Sequence, residues 1–392
     1  MKPPVRNAIA VTVGIAATVL LLLAVEGLAG WYLFSARKNA GLIWPPDSTV
    51  EHATPEFHYA AHINNLGFRD RDFARRKPAG PRIAVLGDSF TYGWGLSAEQ
   101  SWPKVLEGRL RNAGREVEVA NLGLPGAGPA EYAELAPRAL ALLHPDMLIV
   151  AILQADDLLQ CADSARHPDP GWRQRLGATL SRMFPSLSQL AGLTHADRLH
   201  VTSPDLREIW KKQVRDFDAN MNTEDRARYN LLPSRIREMY AQGDLNPGLF
   251  YFSMRYPRFT VDSCDLDQEA TKREVAEMAR RLREIRDTAA HYRTRMVVVS
   301  IPYRTYVSAR DLDAMRELGF QVDPAMLQTD KPDEAIRLAC EQAGLPFVQV
   351  TAALRREAGD KEFYFPLDGH FNALGASTYA GLLAPEIAAR LR

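Results

Sequence analysis

The sequence predicts an α/β fold, a three-layer sandwich in which a central parallel sheet lies between two layers of helices. From residue 82 onward, short apolar runs alternate with segments of helical periodicity, and this alternation is typical of a parallel sheet. The run 296–301 is almost entirely apolar, as expected for a strand with both faces covered. Ser89, Gly126 and Asp156 each follow a predicted strand, and sites in such folds lie at the carboxyl ends of strands.

One long insertion, about 161–265, interrupts the alternation. It is predicted to be largely helical, because Leu206, Ile209 and Val214 recur at helical spacing. We expect the apolar helix face that these residues form to pack on the main domain. The alternative is that it forms a lid or contacts a membrane. The predicted strands are 82–86, 117–121, 147–153, 296–301 and 346–350, and the predicted helices are 102–112, 130–143, 268–292, 333–343 and 373–391.

A membrane anchor is predicted at residues 8–34. No charged residue occurs from 8 to 25, and after Glu26 the chain is again apolar to residue 34. About 20 apolar residues span a bilayer as a helix. A cleaved signal peptide is the alternative, but the apolar stretch exceeds the usual apolar region of about 7–15 residues.

The expected organisation follows from this anchor. Residues 1–34 would form a cytoplasmic end and a single membrane-spanning helix, and 35–80 a stalk leading into the domain. Residues 81–392 would form the α/β domain, which we expect on the periplasmic side of the cytoplasmic membrane.

Composition excludes some classes of partner and site. The chain has 392 residues, and its 48 Lys and Arg residues balance its 48 Asp and Glu residues. Without a basic excess or a long basic tract, a nucleic-acid partner is not expected. The three cysteines show no metal-ligand spacing and do not cluster with the histidines, so we expect no metal site. An organic cofactor is not expected either.

A candidate nucleophile lies at the end of the first strand of this domain. Residues 82–93 read Arg-Ile-Ala-Val-Leu-Gly-Asp-Ser-Phe-Thr-Tyr-Gly. The apolar strand breaks at Gly87 and places Ser89 in the following turn, where its hydroxyl can be exposed. The same Gly-Asp-Ser sequence also occurs in ordinary turns, so the assignment depends on a partner for the hydroxyl.

Asp368 and His370 are the candidate partners. They stand two residues apart, just before the last helical segment. A carboxylate in this position can bind imidazole Nδ1 and leave Nε2 to accept the proton of Ser89, as a serine nucleophile requires. The alternative is a capped helix start that carries a surface histidine.

A glycine-rich segment fits the third requirement, a site for the oxyanion. Residues 121–128 read Asn-Leu-Gly-Leu-Pro-Gly-Ala-Gly and follow a predicted strand. Glycines let backbone amides approach a substrate closely, and a developing oxyanion needs such donors at about 2.7–3.1 Å.

Together these segments resemble the SGNH (GDSL-type) hydrolase family. Its first block matches Gly87, Asp88 and Ser89, its oxyanion glycine matches Gly126, and its last block matches Asp368, His370 and Asn372. The stretch 62–69 resembles the lead-in of membrane-anchored bacterial members. The resemblance covers about 60–160 and 295–392, and it implies an SGNH/flavodoxin-like sheet. The motifs are specific for the fold and much less specific for the substrate.

One position departs from the family pattern. The third block usually reads Gly-Asn-Asp, and its asparagine donates to the oxyanion, but Asp156 stands in this place. Either burial keeps Asp156 protonated, or it turns away and Gln154 or a backbone amide replaces it. A third possibility is a weakened or inactive relative.

The resemblance implies a serine esterase that acts on acyl, first of all acetyl, esters of a cell-envelope glycan or lipid. Two alternatives remain: an O-acyltransferase that uses the same acyl-enzyme, and a non-catalytic glycan-binding or assembly protein. Cys161 and Cys264 flank the region outside the resemblance, and an oxidising compartment would allow a disulfide between them. Cys340 lies in an apolar helical stretch and is expected to be buried.

Overall fold

The chain divides into two compact units in a computed structural model. One comprises residues 42–166 and 203–392 and contains every strand in the described part of the chain. The other comprises residues 1–41 and 167–202, of which the structure describes Gly41 and a short helical segment at 25–28. The described residues are 25–28, 41–74, 77, 79–166, 206–263 and 265–391.

Within the described residues, strands form an antiparallel hairpin and a parallel sheet of five strands. The observed strands of the sheet lie where the sequence predicts them, with ends that differ by up to two residues. The strands are β1 (Thr49–Ala53), β2 (His58–His62), β3 (Arg82–Gly87), β4 (Glu118–Gly123), β5 (Met147–Leu153), β6 (Arg295–Ile301) and β7 (Phe347–Val348).

The strand order of the sheet is β4-β3-β5-β6-β7. The chain enters the sheet at β3, adds β4 on one side and then returns to place β5 on the other side. This reversal between β3 and β5 opens a crevice at the carboxyl ends of the two strands, the usual binding position in an open α/β sheet.

Helices cover both faces of the sheet, which confirms the predicted layers. On β3, Ile83 joins one buried apolar cluster and Ala84 the other, because successive side chains of a strand point to opposite faces. The helices are α1 (Ser89–Tyr92), α2 (Trp102–Asn112), α3 (Pro129–Leu143), α4 (Asp156–Arg166), α5 (Leu206–Asn220), α6 (Thr223–Leu231), α7 (Ser234–Ala241), α8 (Pro247–Arg255), α9 (Phe259–Asp262), α10 (Glu269–His291), α11 (Ala309–Glu317), α12 (Lys331–Ala343), α13 (Thr351–Ala358) and α14 (Ala373–Arg390).

The two layers are built from different parts of the chain. Helices α2 and α14 pack on the face of Ile83, whereas α3, α10 and α12 pack on the face of Ala84. Helix α10 shows why these segments are helical. Its buried Val275, Met278 and Leu282 recur every three or four residues and form one apolar stripe.

The described part of the insertion packs on the domain. Val214, Ile236 and Phe250 are buried in the same cluster as Ile83, so the packing expected for this segment is observed. Short helices α5 to α9 carry these residues, and the end of the insertion also reaches the crevice at the end of β5.

The segment predicted as a stalk is folded against the domain. Residues 42–74 belong to the same compact unit as the sheet, and the β1–β2 hairpin pairs Thr49 with His62 through Ala53 with His58. Its Phe57 and Tyr59 form a buried cluster with Tyr92, which follows the candidate nucleophile. A stalk boundary at residue 80 therefore does not describe this part of the chain.

The predicted anchor at 8–34 lies outside the described residues, apart from 25–28. No helix among the residues that the structure describes is both long and apolar enough to cross a bilayer. Cys161 is a buried thiol; Cys264, its predicted disulfide partner, lies outside the described residues. Cys340 is buried, as predicted.

Candidate active site

The turn after β3 presents Ser89 at the edge of the sheet. Asp88 caps helix α1, and its Oδ1 accepts a hydrogen bond from the Phe90 amide at 3.0 Å. A Cβ at Gly87 would lie 2.1 Å from Thr91 Oγ1, so only glycine allows the strand to turn this tightly into the helix. Ser89 is the first helical residue and is half-buried.

His370 and Asp368 meet this serine, although 281 residues separate His370 from Ser89 along the chain. His370 Nε2 lies 2.7 Å from Ser89 Oγ. On the other side of the ring, Nδ1 lies 2.5 Å from Asp368 Oδ1. The three predicted residues thus form one continuous hydrogen-bonded chain. This geometry lets imidazole accept the serine proton while the carboxylate holds the required tautomer.

A tight loop before α14 presents Asp368 and His370 together. The Phe365 amide donates to the His370 carbonyl at 2.8 Å, and the Gly369 amide donates to the Phe365 carbonyl at 2.9 Å. Gly369 has φ +89°, a conformation that favours glycine. The helix then begins at Asn372, whose Oδ1 accepts from the Gly375 amide at 2.9 Å.

The surroundings of His370 favour its protonated form. Burial alone opposes the charge, but the carboxylates of Asp368, Asp88 and Asp156 outweigh this effect, and the pKa of His370 is raised. The Phe90 ring packs 4.7 Å from the imidazole ring, which further fixes the orientation of the base.

Gly126 lies across the crevice from the end of β3. It has φ +77° and is exposed, and it lines the same cavity as Ser89. The Ser89 amide begins α1 and therefore has no acceptor within that helix. These two backbone amides are the donors that the sequence predicts for an oxyanion.

Asp156 also lines this cavity, so it faces the site rather than turning away. Its Oδ2 accepts a hydrogen bond from Gln160 Nε2 at 2.8 Å. Burial raises the pKa of Asp156, while Gln160 and His370 oppose the increase. A carboxyl group that stays protonated at neutral pH can donate a hydrogen bond, as asparagine would.

Gln154 does not line the cavity of Ser89. It is fully buried, its Oε1 accepts from the Tyr303 amide at 3.0 Å, and its Nε2 donates to Asp333 and Thr351 at 2.7 and 2.9 Å. Both ends of the amide are therefore used, by the segment after β6 and by helices α12 and α13. Of these two residues, Asp156 lines the cavity of Ser89 and Gln154 does not.

Three carboxyl groups cluster beneath the site, a feature that sequence reasoning missed. Burial and the neighbouring Asp156 raise the pKa of Asp88 to about 7. Burial and the charges of Asp88 and Asp156 raise the pKa of Asp157 well above its usual value. Asp157 also accepts a hydrogen bond from the Leu153 amide at 3.0 Å, and this bond holds the end of β5.

The cavity above Ser89 has a volume of about 360 Å³. One wall comes from the end of the insertion, where Leu249, Phe252 and Phe259 present apolar side chains. Because this segment has no catalytic-motif pattern, the sequence offered only its aromatic content as a signal. Among the described residues, no group of three or more His, Cys, Asp or Glu side chains is arranged to hold a metal ion.

Comparison with known proteins gives two family matches. Residues 85–230 match the GDSL-like lipase/acylhydrolase family. Residues 259–392 match the family described as "SGNH hydrolase-like domain, acetyltransferase AlgX". The first match contains Ser89, and the second contains Asp368 and His370.

Individual proteins match this chain either over a short stretch or at low sequence identity. An arylesterase of Vibrio mimicus is 30% identical over 80 residues, which are 20% of this chain and 40% of that protein. The crystal structure of TesA is 13% identical, with a TM-score of 0.38, and the alignment covers 79% of this chain and 99% of TesA. For a mutant of Axe2, an acetyl-xylooligosaccharide esterase of Geobacillus stearmophilus, the identity is 12%, the TM-score 0.37, and the coverage 79% and 94%.

The arylesterase match spans less than half of that relative, and structural similarity of this size carries no information on substrate. The family models are more informative, because between them they cover the segments that hold Ser89, Gly126, Asp368 and His370. On these two matches, residues 85–230 and 259–392 are similar to the SGNH (GDSL-type) hydrolase families.

Proposed function

We propose that the chain is a serine enzyme that cleaves acyl esters through a covalent acyl-enzyme. The observation that carries this proposal is the hydrogen-bonded chain from Ser89 to His370 at 2.7 Å and from His370 to Asp368 at 2.5 Å. Ser89 Oγ attacks the ester carbonyl, and His370 Nε2 takes its proton. Asp368 keeps Nδ1 protonated and stabilises the imidazolium that forms.

The oxyanion is held by hydrogen-bond donors that line the cavity. The amides of Ser89 and Gly126 donate to it, and protonated Asp156 supplies the third donor. His370 then returns its proton to the leaving alcohol, and the acyl group stays on Ser89. In the second half of the reaction, a water loses its proton to His370 and attacks the acyl-enzyme. His370 then returns this proton to Ser89 Oγ as the bond to the acyl group breaks, which releases the acid and free Ser89.

As substrate we propose an acyl ester, first of all an acetyl ester, of a cell-envelope glycan or lipid. The apolar stretch at 8–34 supports a location at the cytoplasmic membrane, with the enzyme domain on the periplasmic side. The proposed chemistry needs no metal and no organic cofactor, because Ser89 and His370 carry the proton transfers and Asp156 only donates a hydrogen bond.

A second candidate is transfer of the acyl group to a sugar hydroxyl instead of water. The match of residues 259–392 to the acetyltransferase AlgX family supports it.

Turnover of p-nitrophenyl acetate by the full-length protein, with and without a glycan acceptor, tests these proposals. A hydrolase releases acetate at a rate that the acceptor does not change, whereas a transferase forms acetylated glycan. Both activities should be lost in Ser89→Ala. If the wild-type protein shows neither activity, the non-catalytic glycan-binding alternative is favoured instead.

A further inference from the structure

The loop that carries Asp368 and His370 is held by a side chain from the distant β1–β2 hairpin. Glu56 Oε1 accepts a hydrogen bond from the Leu367 amide at 2.9 Å, and Glu56 Oε2 accepts one from the Asp368 amide at 2.6 Å. Glu56 and Leu367 are 311 residues apart along the chain. We propose that Glu56 is a positioning residue that fixes Asp368, and through it His370, for proton transfer from Ser89.

The hairpin turn orients Glu56 toward the loop. Thr54 Oγ1 accepts from the Glu56 and Phe57 amides at 3.2 and 3.3 Å, and the Thr54 amide donates to the Phe57 carbonyl at 2.8 Å. Phe57 then packs against Phe365 with ring centroids 5.2 Å apart. The hairpin thus contacts the loop through an apolar ring pair and two charge-assisted hydrogen bonds.

The charged side chain of Arg304 also binds this loop. Arg304 is almost fully buried, and its Nη1 donates to the Pro366 carbonyl at 2.9 Å. The peptide group between Pro366 and Leu367 is therefore bound at its carbonyl by Arg304 and at its amide by Glu56. Such an arrangement polarises the peptide and leaves little freedom for rotation.

Opposing effects act on the pKa of Glu56, which is raised overall. Burial raises its pKa, and the charge of Asp368 adds to this, whereas the two loop amides and Arg304 favour the ionised form. Glu56 also borders a second cavity together with Arg235 and Glu317. Glu56 does not line the cavity that contains Ser89, so its effect on the reaction must act through the loop.

Loss of the Glu56 side chain would change the position of Asp368. Its carboxylate already has a side-chain donor in Trp94, whose Nε1 lies 3.3 Å from Asp368 Oδ2, but this contact does not fix the backbone. Without Glu56, the Leu367 and Asp368 amides lose their acceptors, and the loop can turn Asp368 away from His370. A displacement of about 1 Å at reacting groups can cost about 100-fold in rate.

The proposal rests on the proposed function and is tested on the full-length protein with p-nitrophenyl acetate as substrate. Glu56→Ala should lower kcat about 10- to 100-fold and leave KM little changed, because the cavity that binds the ester is intact. Glu56→Gln should recover part of kcat, since its carbonyl oxygen can accept from one of the two amides. The control is Glu51→Ala, an exposed glutamate on the same hairpin, which should keep the wild-type kcat.

A second measurement is independent of turnover. A short hydrogen bond from His370 Nδ1 to Asp368 should give a far-downfield proton resonance, and Glu56→Ala should weaken or shift it while Glu51→Ala does not. Thermal unfolding checks that each variant is folded, and if Glu56→Ala fails to fold, Glu56→Gln decides on the same two measurements.

The outcomes separate this proposal from the proposed function. If Ser89→Ala is inactive but Glu56→Ala keeps the wild-type kcat and resonance, the positioning role is wrong and the serine mechanism stands. If Ser89→Ala keeps activity, the serine mechanism fails, and the resonance in Glu56→Ala still decides the positioning role. An equal loss in kcat and in stability for Glu51→Ala and Glu56→Ala would show only a general structural effect and overturn the proposal.

Discussion

At the scale of single residues, the unusual feature of the site is a carboxyl group where the family pattern has an amide. Asp156 lines the cavity of Ser89 and has a raised pKa. Only its protonated form can donate to an oxyanion, because an ionised carboxylate would repel the developing charge. The residue therefore links catalytic rate to pH in a way that asparagine would not.

Two limbs are expected in the pH profile of kcat/KM. Activity should rise as pH increases through the raised pKa of His370, because the base must be neutral to accept a proton. Ionisation of Asp156, whose pKa is also raised, should lower activity. Asp156→Asn should keep or increase the maximal rate and remove this second limb. Asp156→Ala, which lacks the donor, should lose about 100- to 1000-fold relative to the wild type at pH values where Asp156 is protonated.

A strong loss of activity in Asp156→Asn at all pH values would contradict this role. The carboxylate would then have another task, such as binding a substrate hydroxyl, and the third oxyanion donor would be missing. Initial rates for the three proteins over the same pH range decide between the two cases.

The turn between β3 and α1 gives a prediction for stability. A Cβ at position 87 would come within 2.1 Å of Thr91 Oγ1 and 2.8 Å of Thr91 Cβ. Gly87→Ala should therefore lower the free energy of unfolding by about 1–3 kcal/mol and displace Ser89. Gly108, an exposed glycine inside α2 with open space around it, is the matched control. Gly108→Ala should raise the free energy of unfolding by about 0.5–1 kcal/mol, and denaturant unfolding measures both changes.

At the scale of elements, each part of the site comes from a different segment of the chain. The end of β3 supplies the serine, the loop before α14 supplies the base and its carboxylate, and the β1–β2 hairpin supports that loop. Helix α8 of the insertion supplies a wall of the cavity. The insertion therefore contributes to the space available in this cavity.

The size of the acyl group should depend on Phe252 of α8. This ring lines the cavity and packs against Phe259 with centroids 5.2 Å apart. Phe252→Ala should increase kcat/KM for longer p-nitrophenyl esters relative to acetate, because the cavity becomes larger. Leu231→Ala, at an exposed leucine of the same insertion, should leave the ratio unchanged. An unchanged ratio in Phe252→Ala would place the acyl group elsewhere in the cavity.

At the scale of the whole molecule, the parallel sheet and its two helical layers follow from the sequence. Runs such as 147–153 are apolar on both faces, and helix α10 carries a regular apolar stripe, so local patterns are sufficient there. The geometry of Ser89, Asp368 and His370 was also anticipated, because short motifs carry these residues and the sheet brings their segments to one edge.

The supporting contacts could not be predicted in this way. Glu56 lies in a segment without a recognisable pattern, and its partners Leu367 and Asp368 are backbone amides more than 300 residues away. The sequence therefore predicts a stalk at 35–80, where the structure has a hairpin that supports the loop. Similarly, Gln154 and Asp156 are two residues apart, and only the strand twist and the turn at Ala155, with φ +65°, decide which of them faces the cavity.

The central claim is that Ser89 forms a covalent acyl-enzyme with the help of His370. Its most direct test is intact-mass measurement of the full-length protein after reaction with a fluorophosphonate, followed by peptide mapping. We predict one adduct per chain, located on Ser89, absent in Ser89→Ala and formed far more slowly in His370→Ala. An adduct that persists in Ser89→Ala, or no adduct on the folded wild-type protein, would contradict the account.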